Sequence, residues 1–398
     1  MDKNQYFKWY YEPKKASFDE ILEDYIELLT KIMSEQSQGR QIILPLSGGL
    51  DSRSQAKVLK DLGANVQSYS YEFKDGYPET KIAEKIAQNC GFEFTALKIP
   101  KGYLWNKIDD IAKLNGCFSE FTHPRQMAVL EQLKQFNGVF SLGHWGDVFF
   151  DRGAPEGIGH ADIVPMLLKK MVKPKGMELA SILWNTWGLD GTFSDFLISR
   201  IEAALANIAI DNVSAKVRAF KTSQWAHRWT TTNLSVFEAA HPITLPYYDD
   251  RMCRFICTIP ESYLADRKLQ IAHLRQDKVL SNITWQAQRP FNLNNYSFNR
   301  PPYNLPYRFV NKLQRETNQM FGRHYVQRNW ELQFLGDTND QKLRGFLFSQ
   351  ELNELIPENI VREFYDKFTN LDRVKYSHPI SMMLTLALWQ KHFNNFSS

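Results

Sequence analysis

The segment Ser47-Gly48-Gly49-Leu50-Asp51-Ser52 constrains this chain more than any other. It follows directly on Gln41-Ile42-Ile43-Leu44-Pro45-Leu46, a short apolar, β-branched run with the pattern of a buried strand. A helical pattern, Gln55 to Leu62, comes after it. Two glycines in a strand-to-helix turn let backbone N–H groups curl around an anion. The helix N-terminus behind them adds partial positive charge. Ser47 and Ser52 supply hydroxyl donors, and Asp51 can hold a Mg²⁺ against the same phosphates. The Gly-Lys-Ser/Thr of a Walker loop is absent, so this phosphate site is of another kind.

The surrounding pattern alternates. Residues 18–34 place Ile21, Leu22, Tyr25, Ile26, Leu28, Leu29 and Ile32 at helical spacing. After Gly63 a strand is expected at Val66–Tyr71, then a helix from Glu79 to Asn89 ending at Gly91. A strand at Phe92–Leu97, a helical stretch at Gln126–Phe136 and a strand at Val139–Leu142 follow. Strands alternating with helices imply parallel pairing and right-handed crossovers, hence an α/β fold with a doubly wound parallel sheet. Ligands in such sheets bind beyond the carboxyl ends of the strands, where the loops after Leu46, Tyr71 and Leu142 lie. From about residue 160 the pattern turns helical, at 162–184 and 194–220. Residues 288–307 hold four Pro and five Asn and read as a loop, and Met382–Phe393 reads as an amphipathic helix. The expected organisation is an N-terminal helix within 1–40, a core at 41–295 with a helical insertion at about 160–225, and a mainly helical region at 296–398.

Composition excludes several classes. The chain has 398 residues, 43% of them hydrophobic and 23% charged, which is not the make-up of a disordered protein. A net charge of +4 is too weak to argue for nucleic acid. The four cysteines are too few for a disulfide framework, and Cys253 and Cys257, four apart in an apolar run, read as core thiols. The first residues carry early charges and no apolar h-region, and no apolar stretch approaches ~18 residues. A soluble protein of the reducing cytoplasm is expected, with no membrane span. His123, His144 and His241 lie near the loops, but no two share metal-ligand spacing, so no zinc site is expected. No Gly-X-Ser-X-Gly is present.

The Ser47–Ser52 segment resembles the pyrophosphate loop (PP-loop) of the N-type ATP pyrophosphatases. Its Leu-Asp-Ser ending is most similar to asparagine synthetase and its relatives, among them the β-lactam synthetases and the lasso-peptide cyclases. Tyr69-Ser70-Tyr71-Glu72-Phe73 falls where that family surrounds the adenine, and Glu79 where its acidic-start helix begins. Gly143-His144-Trp145-Gly146-Asp147-Val148-Phe149-Phe150 falls on the family's Gly-Asp-Gly-Ala-Asp-Glu-Leu-Phe, with His144, Trp145 and Val148 as departures. Glu238-Ala239-Ala240-His241-Pro242 and Pro246-Tyr247-Tyr248-Asp249 track two further segments, with about four extra residues between them. The resemblance covers roughly residues 18–295.

The resemblance implies an adenine nucleotide alpha hydrolase-like fold. It implies ATP and pyrophosphate contacts from Leu46, Ser47, Gly48, Gly49, Leu50, Asp51, Ser52, Tyr71 and Gly143, and a Mg²⁺ site at Asp51 and Asp147. Glu120 falls where the family carries an essential Glu near the intermediate. Lys268 falls where it carries a Lys that neutralises charge on the phosphates, with Arg267 the match if the alignment slips by one. The implied reaction is ATP-dependent amide-bond formation through an acyl-adenylate, with release of pyrophosphate. Fewer than 50 residues precede the loop and no Cys precedes Cys90, so a glutaminase domain is not expected. The implied partners are a small-molecule or peptide carboxylate and ammonia, an amine or a separate glutaminase subunit. Neither nucleic acid nor membrane is expected as a partner. Two other readings keep the loop: adenylation of a nucleobase, tRNA or thio-carrier, and a non-catalytic nucleotide-binding scaffold. The weak charge and the Asp147 and Pro246 segments count against the first, and the departures at His144, Trp145 and Val148 keep the second open.

Overall fold

The computed structural model describes residues 6–76, 78, 80–122, 124–284, 290–320 and 326–393. The chain splits into two compact units, neither a single stretch. The first takes the chain up to Pro100, then Val129–Gly153 and Phe237–Gln327. The second takes Lys101–Ala128, Ala154–Val236 and the chain from Arg328 onward.

The first unit is built on five strands: β1 (Ile42–Pro45), β2 (Val66–Phe73), β3 (Glu93–Ile99), β4 (Val139–Ser141) and β5 (Ile243–Thr244). Their order is β3-β2-β1-β4-β5, and every pair is parallel. The expected α/β parallel sheet is therefore present. The chain winds outward from β1 to β3, then returns to the other side of β1 with β4, so the winding reverses between β1 and β4. Such a reversal opens a crevice at the strand ends. Ile42, Ile43 and Leu44 are fully buried, as a strand covered on both faces requires. Burial of each such side chain stabilises by roughly 1.5–3 kcal/mol.

Three helices frame the sheet: α1 (Phe18–Ser37), α2 (Leu50–Asp61) and α3 (Thr80–Cys90). A capping box starts α1. Ser17 Oγ accepts from the Glu20 N–H, and the Glu20 carboxylate accepts from the Ser17 N–H at 2.7 Å. Its apolar stripe, Ile21, Tyr25, Leu29, Ile32 and Met33, is buried. Helix α2 starts at Leu50, five residues before the apolar pattern indicates, because Gly49 already serves as its N-cap. Glu79, the expected first residue of α3, lies outside the described residues. The stretch expected as a helix at Gln126–Phe136 is a 3₁₀ turn at Arg125–Val129 and one α-turn at Leu130–Leu133. The loop expected at 288–307 has more structure than its Pro and Asn content indicates. Asn292 accepts from the Asn294 and Asn295 N–H groups to cap a 3₁₀ helix at Leu293–Asn299. A helix then starts at Leu305, with Pro306 in the first turn where no N–H is missed.

The second unit is helical in its described residues. The expected 162–184 helix is two, Ile163–Met171 and Gly176–Thr186, parted at Lys175 with a left-handed φ of 59°. The 194–220 helix is also two, Phe193–Ala206 and Val213–Phe220, the second capped by Asn212. Ile163, Leu167, Ile201, Leu205, Val217 and Phe220 pack together. Elsewhere in this unit Trp105 stacks on Phe346 with ring centroids 6.1 Å apart. The expected terminal helix lies within Arg373–Phe393. Among the described residues no helix is long and apolar enough to cross a membrane.

Candidate active site at the switch point

The loop after β1 closes on its own hydroxyls. The Ser47 N–H donates to Ser52 Oγ at 3.1 Å, the two hydroxyl oxygens lie 3.1 Å apart, and the Gly49 N–H donates to Ser47 Oγ at 3.1 Å. Gly49 has φ −71°, an ordinary value, so glycine is present here for room and not for a left-handed turn. A Cβ at Gly49 would lie 3.1 Å from Ser47 Oγ. Leu46 hydrogen-bonds the Tyr69 carbonyl at 2.7 Å and anchors the loop to β2. Leu50 packs on Ile271, Leu274 and Leu293 and anchors the first turn of α2.

Asp51 projects from that first turn, its side chain 23% exposed. Its Oδ1 accepts from Arg267 Nη2 in a short ion pair and from Gln270 Nε2 at 2.9 Å, and Arg267 Nε donates to Gln270 Oε1 at 2.6 Å. The Tyr247 hydroxyl donates to the Asp51 backbone carbonyl at 3.0 Å. Burial pushes the Asp51 carboxyl up, Arg267 pulls it back, and the negative charge of Asp147 pushes it up again. Burial works against the Arg267 charge, and the acidic groups around it, Asp51 first and then Asp147, Tyr247 and Asp151, together more than restore it. Both directions place Asp51, Arg267 and Asp147 in one electrostatic neighbourhood.

The loop after β4 closes the other side. A Cβ at Gly143 would sit 3.1 Å from Asp51 Cβ, and one at Gly146 would overlap Asp51 Oδ1. Glycine at 146 is thus a condition for Asp51 to lie where it does. Trp145, one of the departures from the family pattern, takes a left-handed φ of 71° and is buried against Phe149 and Tyr248, which stack on each other. Asp266 and Arg267 also have positive φ, 57° and 61°. Three non-glycine residues in this uncommon region beside one carboxylate mark a strained, over-determined site.

The switch point therefore brings together Leu46, Ser47, Gly49, Leu50, Asp51, Ser52, Gly143 and Asp147, with Gly48 in the same loop. Tyr71 sits on β2, opposite Leu97 of β3. Lys268 points elsewhere: its Nζ donates to the Ser262 carbonyl at 2.9 Å in an exposed position, while Arg267 faces Asp51. Glu120 belongs to the second unit. Its Oε2 accepts from the Thr122 N–H at 2.9 Å, Thr122 Oγ1 at 2.6 Å and Ser381 Oγ at 2.6 Å. Burial pushes the nearby His378 imidazole down, with Glu120 pulling it back up. His123 lies outside the described residues. His241 Nε2 lies 3.0 Å from the Leu133 carbonyl oxygen, and His144 meets the Phe237 ring edge-on.

Sequence reasoning passed over Tyr247 as an individual, Gln270 and Arg53. Gln270 carries a readable signal, since it lies one helical turn after Arg267 and shares its face.

Among the described residues no three His, Cys, Asp or Glu side chains are grouped to hold a metal by themselves. A Mg²⁺ that shares its shell with phosphate and water needs only one or two carboxylates. Asp51 and Asp147 supply two hard oxygen donors in one electrostatic neighbourhood, and Gly146 leaves room for the Asp51 carboxylate, so the donor chemistry fits that ion.

A parallel sheet with a Ser-Gly-Gly loop at its switch point and acids on both flanking loops is the arrangement implied by the sequence resemblance to the PP-loop ATP pyrophosphatases. Residues 26–137, from within α1 past β3 to just before β4, match the family model described as asparagine synthase. The match spans under a third of the chain. No curated protein matches the chain. Two solved structures are similar over wider spans. An NMN synthetase from Francisella tularensis is 13% identical, with 54% of this chain and 96% of that one covered and a TM-score of 0.27. A U34-tRNA thiolase from Methanococcus maripaludis, with its iron–sulfur cluster, is 10% identical, with 78% and 77% covered and a TM-score of 0.25. At such scores neither bears on what this chain does.

Proposed function

We propose that the chain forms an amide bond from a carboxylate, ATP and a nitrogen nucleophile. The observation that carries this reading is the loop itself. A hydroxyl-lined turn at a helix N-terminus, carrying Asp51, lies within the segment matching asparagine synthase, and Asp147, on the loop after β4 beyond that segment, adds its negative charge beside Asp51. A carboxylate oxygen attacks the α-phosphorus of ATP, the new C–O–P linkage forms, and the bond to the β-phosphate breaks. Hydroxide is a poor leaving group and AMP a good one, which is why adenylation serves amide formation. The nitrogen nucleophile then adds to the acyl carbon, AMP departs with the electron pair, and the nitrogen loses a proton.

The residues divide this work. The loop N–H groups, Ser47, Ser52 and the α2 N-terminus meet the departing pyrophosphate with donors already aimed. Tyr71, at the β2 end, borders the adenine side. Asp51 and Asp147 would hold Mg²⁺, which when bound supplies positive charge against the triphosphate. Arg267 and Lys268 are the two cations proposed to meet charge building on the phosphates, and the position of Arg267 on Asp51 favours Arg267. Glu120 is proposed as proton acceptor for the nitrogen. The proposed partners are a small-molecule or peptide acid and ammonia, an amine or a glutaminase subunit.

The test is exchange of labelled pyrophosphate into ATP across a panel of carboxylic acids, with ammonium, glutamine or no nitrogen source added. Acid-dependent exchange with AMP as product is the expected outcome. ADP and phosphate would mean an acyl-phosphate route and would overturn the reading.

A further inference from the structure

Arg53 lies in the first turns of α2 and is fully buried. Each terminal nitrogen donates twice to backbone carbonyls: Nη1 to Leu280 at 3.2 Å and Ile283 at 3.0 Å, Nη2 to Thr284 at 2.7 Å and Gly48 at 3.0 Å. Burial lowers the guanidinium to about 10, so it remains charged at neutral pH. Burying an arginine costs several kcal/mol unless its protons are satisfied. Here the acceptors for the two terminal nitrogens are one loop carbonyl and the carbonyls at the end of a segment more than two hundred residues away.

The Gly48 contact has a directional consequence. In a trans peptide the carbonyl and the following N–H point in opposite directions. Drawing the Gly48 carbonyl toward Arg53 turns the Gly49 N–H the other way, into the concave side of the loop, where Ser47 Oγ accepts it. On the pyrophosphate reading, a phosphate oxygen entering the loop would take the place of that hydroxyl. Lysine cannot substitute, because an ammonium has three donors around a point and not a planar fan of paired donors.

We infer that Arg53 is a positioning residue for the pyrophosphate loop: it fixes the Gly48–Gly49 peptide so that its N–H faces the anion, and it makes the loop and residues 280–284 one rigid body. This rests on the reading of the loop as a pyrophosphate site. The experiment compares wild type, Arg53→Ala and Arg53→Lys by amide hydrogen exchange without nucleotide and by MgATP binding. In Arg53→Ala, exchange at Gly48–Leu50 and at 280–284 should rise together, and MgATP affinity should fall about tenfold or more, the scale of one lost orienting hydrogen bond to a charged group. Free guanidinium ion should restore both, whereas ammonium should not, and Arg53→Lys should stay impaired. Should Arg53→Ala fail to fold, the Arg53→Lys exchange pattern decides. Exchange rising evenly over the first unit with unchanged MgATP affinity would mean a packing role only and would overturn the inference. Wild-type protein that binds no MgATP would sink the functional reading. The coupled exchange at the two segments, and its rescue by guanidinium, would still decide the role of Arg53.

Discussion

Asp51 in the first unit and Glu120 in the second are both carboxylates drawn back from water, and their partners differ in kind. Asp51 directs one oxygen at a guanidinium and an amide that arrive from the Lys268–Arg275 helix and its cap. Glu120 directs one oxygen at two hydroxyls and a backbone N–H, all neutral. Neutral donors fix a carboxylate without cancelling its charge. A cation cancels it and can be exchanged for another cation. The first arrangement suits a group that trades partners when a metal–nucleotide complex enters, the second a group held in one orientation.

The contrast is open to attack, most forcefully at Arg267. Arg267→Met leaves Asp51 buried beside Asp147 without its cation and should cost about 3–5 kcal/mol in urea unfolding, the range for a broken buried pair. Adding Asp51→Asn to it should recover most of that loss. A single variant as stable as wild type would show that the ion pair contributes nothing. Asp51→Asn alone should keep the fold, since the amide oxygen still accepts from Arg267 and Gln270. It should cut ATP consumption by about a hundredfold or more, the several kcal/mol a metal supplies to a phosphoryl step. Undiminished turnover would remove Asp51 from the site.

His273 supplies a pH test within the first unit. It is fully buried, and burial pushes its imidazole down to about 3 from 6.5. Below pH 6.5 the unfolded chain takes up a proton that the folded one refuses, so stability falls as pH falls and the loss levels off only near pH 3. At pH 5 that amounts to about 2 kcal/mol at 1.36 kcal/mol per unit. His273→Leu should flatten this part of the profile, and equal acid sensitivity in both proteins would refute it. Glu120→Gln should cost less, about 1 kcal/mol, because one amide oxygen still accepts from part of the same donor set. A loss as large as that at Arg267 would erase the distinction between the two carboxylates. Lys268→Ala, at an exposed side chain, should stay within about 0.5 kcal/mol. Its effect on pyrophosphate release, set beside that of Arg267→Met, decides which cation meets the phosphates.

Four of the five strands and the loop were legible because they depend on neighbours in sequence: an apolar β-branched run, two glycines, and a helix pattern ending at Gly63; β5, two residues long at Ile243–Thr244, offers no such run and was missed. Asp147 was legible through its family segment despite the departures around it. Trp145 could not be read, since a tryptophan at a position with φ of 71° is held there by Phe149 and Tyr248, not by local preference. Arg267 and Lys268 are adjacent, and sequence spacing cannot say which one turns inward. Two consecutive left-handed residues, Asp266 and Arg267, set that orientation. The two units were illegible for a similar reason: each is assembled from three separated stretches, so no cut along the chain divides them.

That interleaving sets an order on the newborn chain. When β1 has been synthesised it can pair with β2 within some thirty residues, but its other edge stays open until Val139 appears, and β4 has no outer neighbour until Ile243. Arg53 waits longer still, for carbonyls at 280–284. Through much of its synthesis the chain therefore carries an unpaired central strand and an arginine without most of its acceptors, the kind of exposed edge that invites misassembly. The carbonyls that hold Arg53 belong to the last of the three stretches that make the first unit, so the polypeptide gains the Ser47–Ser52 loop in its held form only late in its own translation.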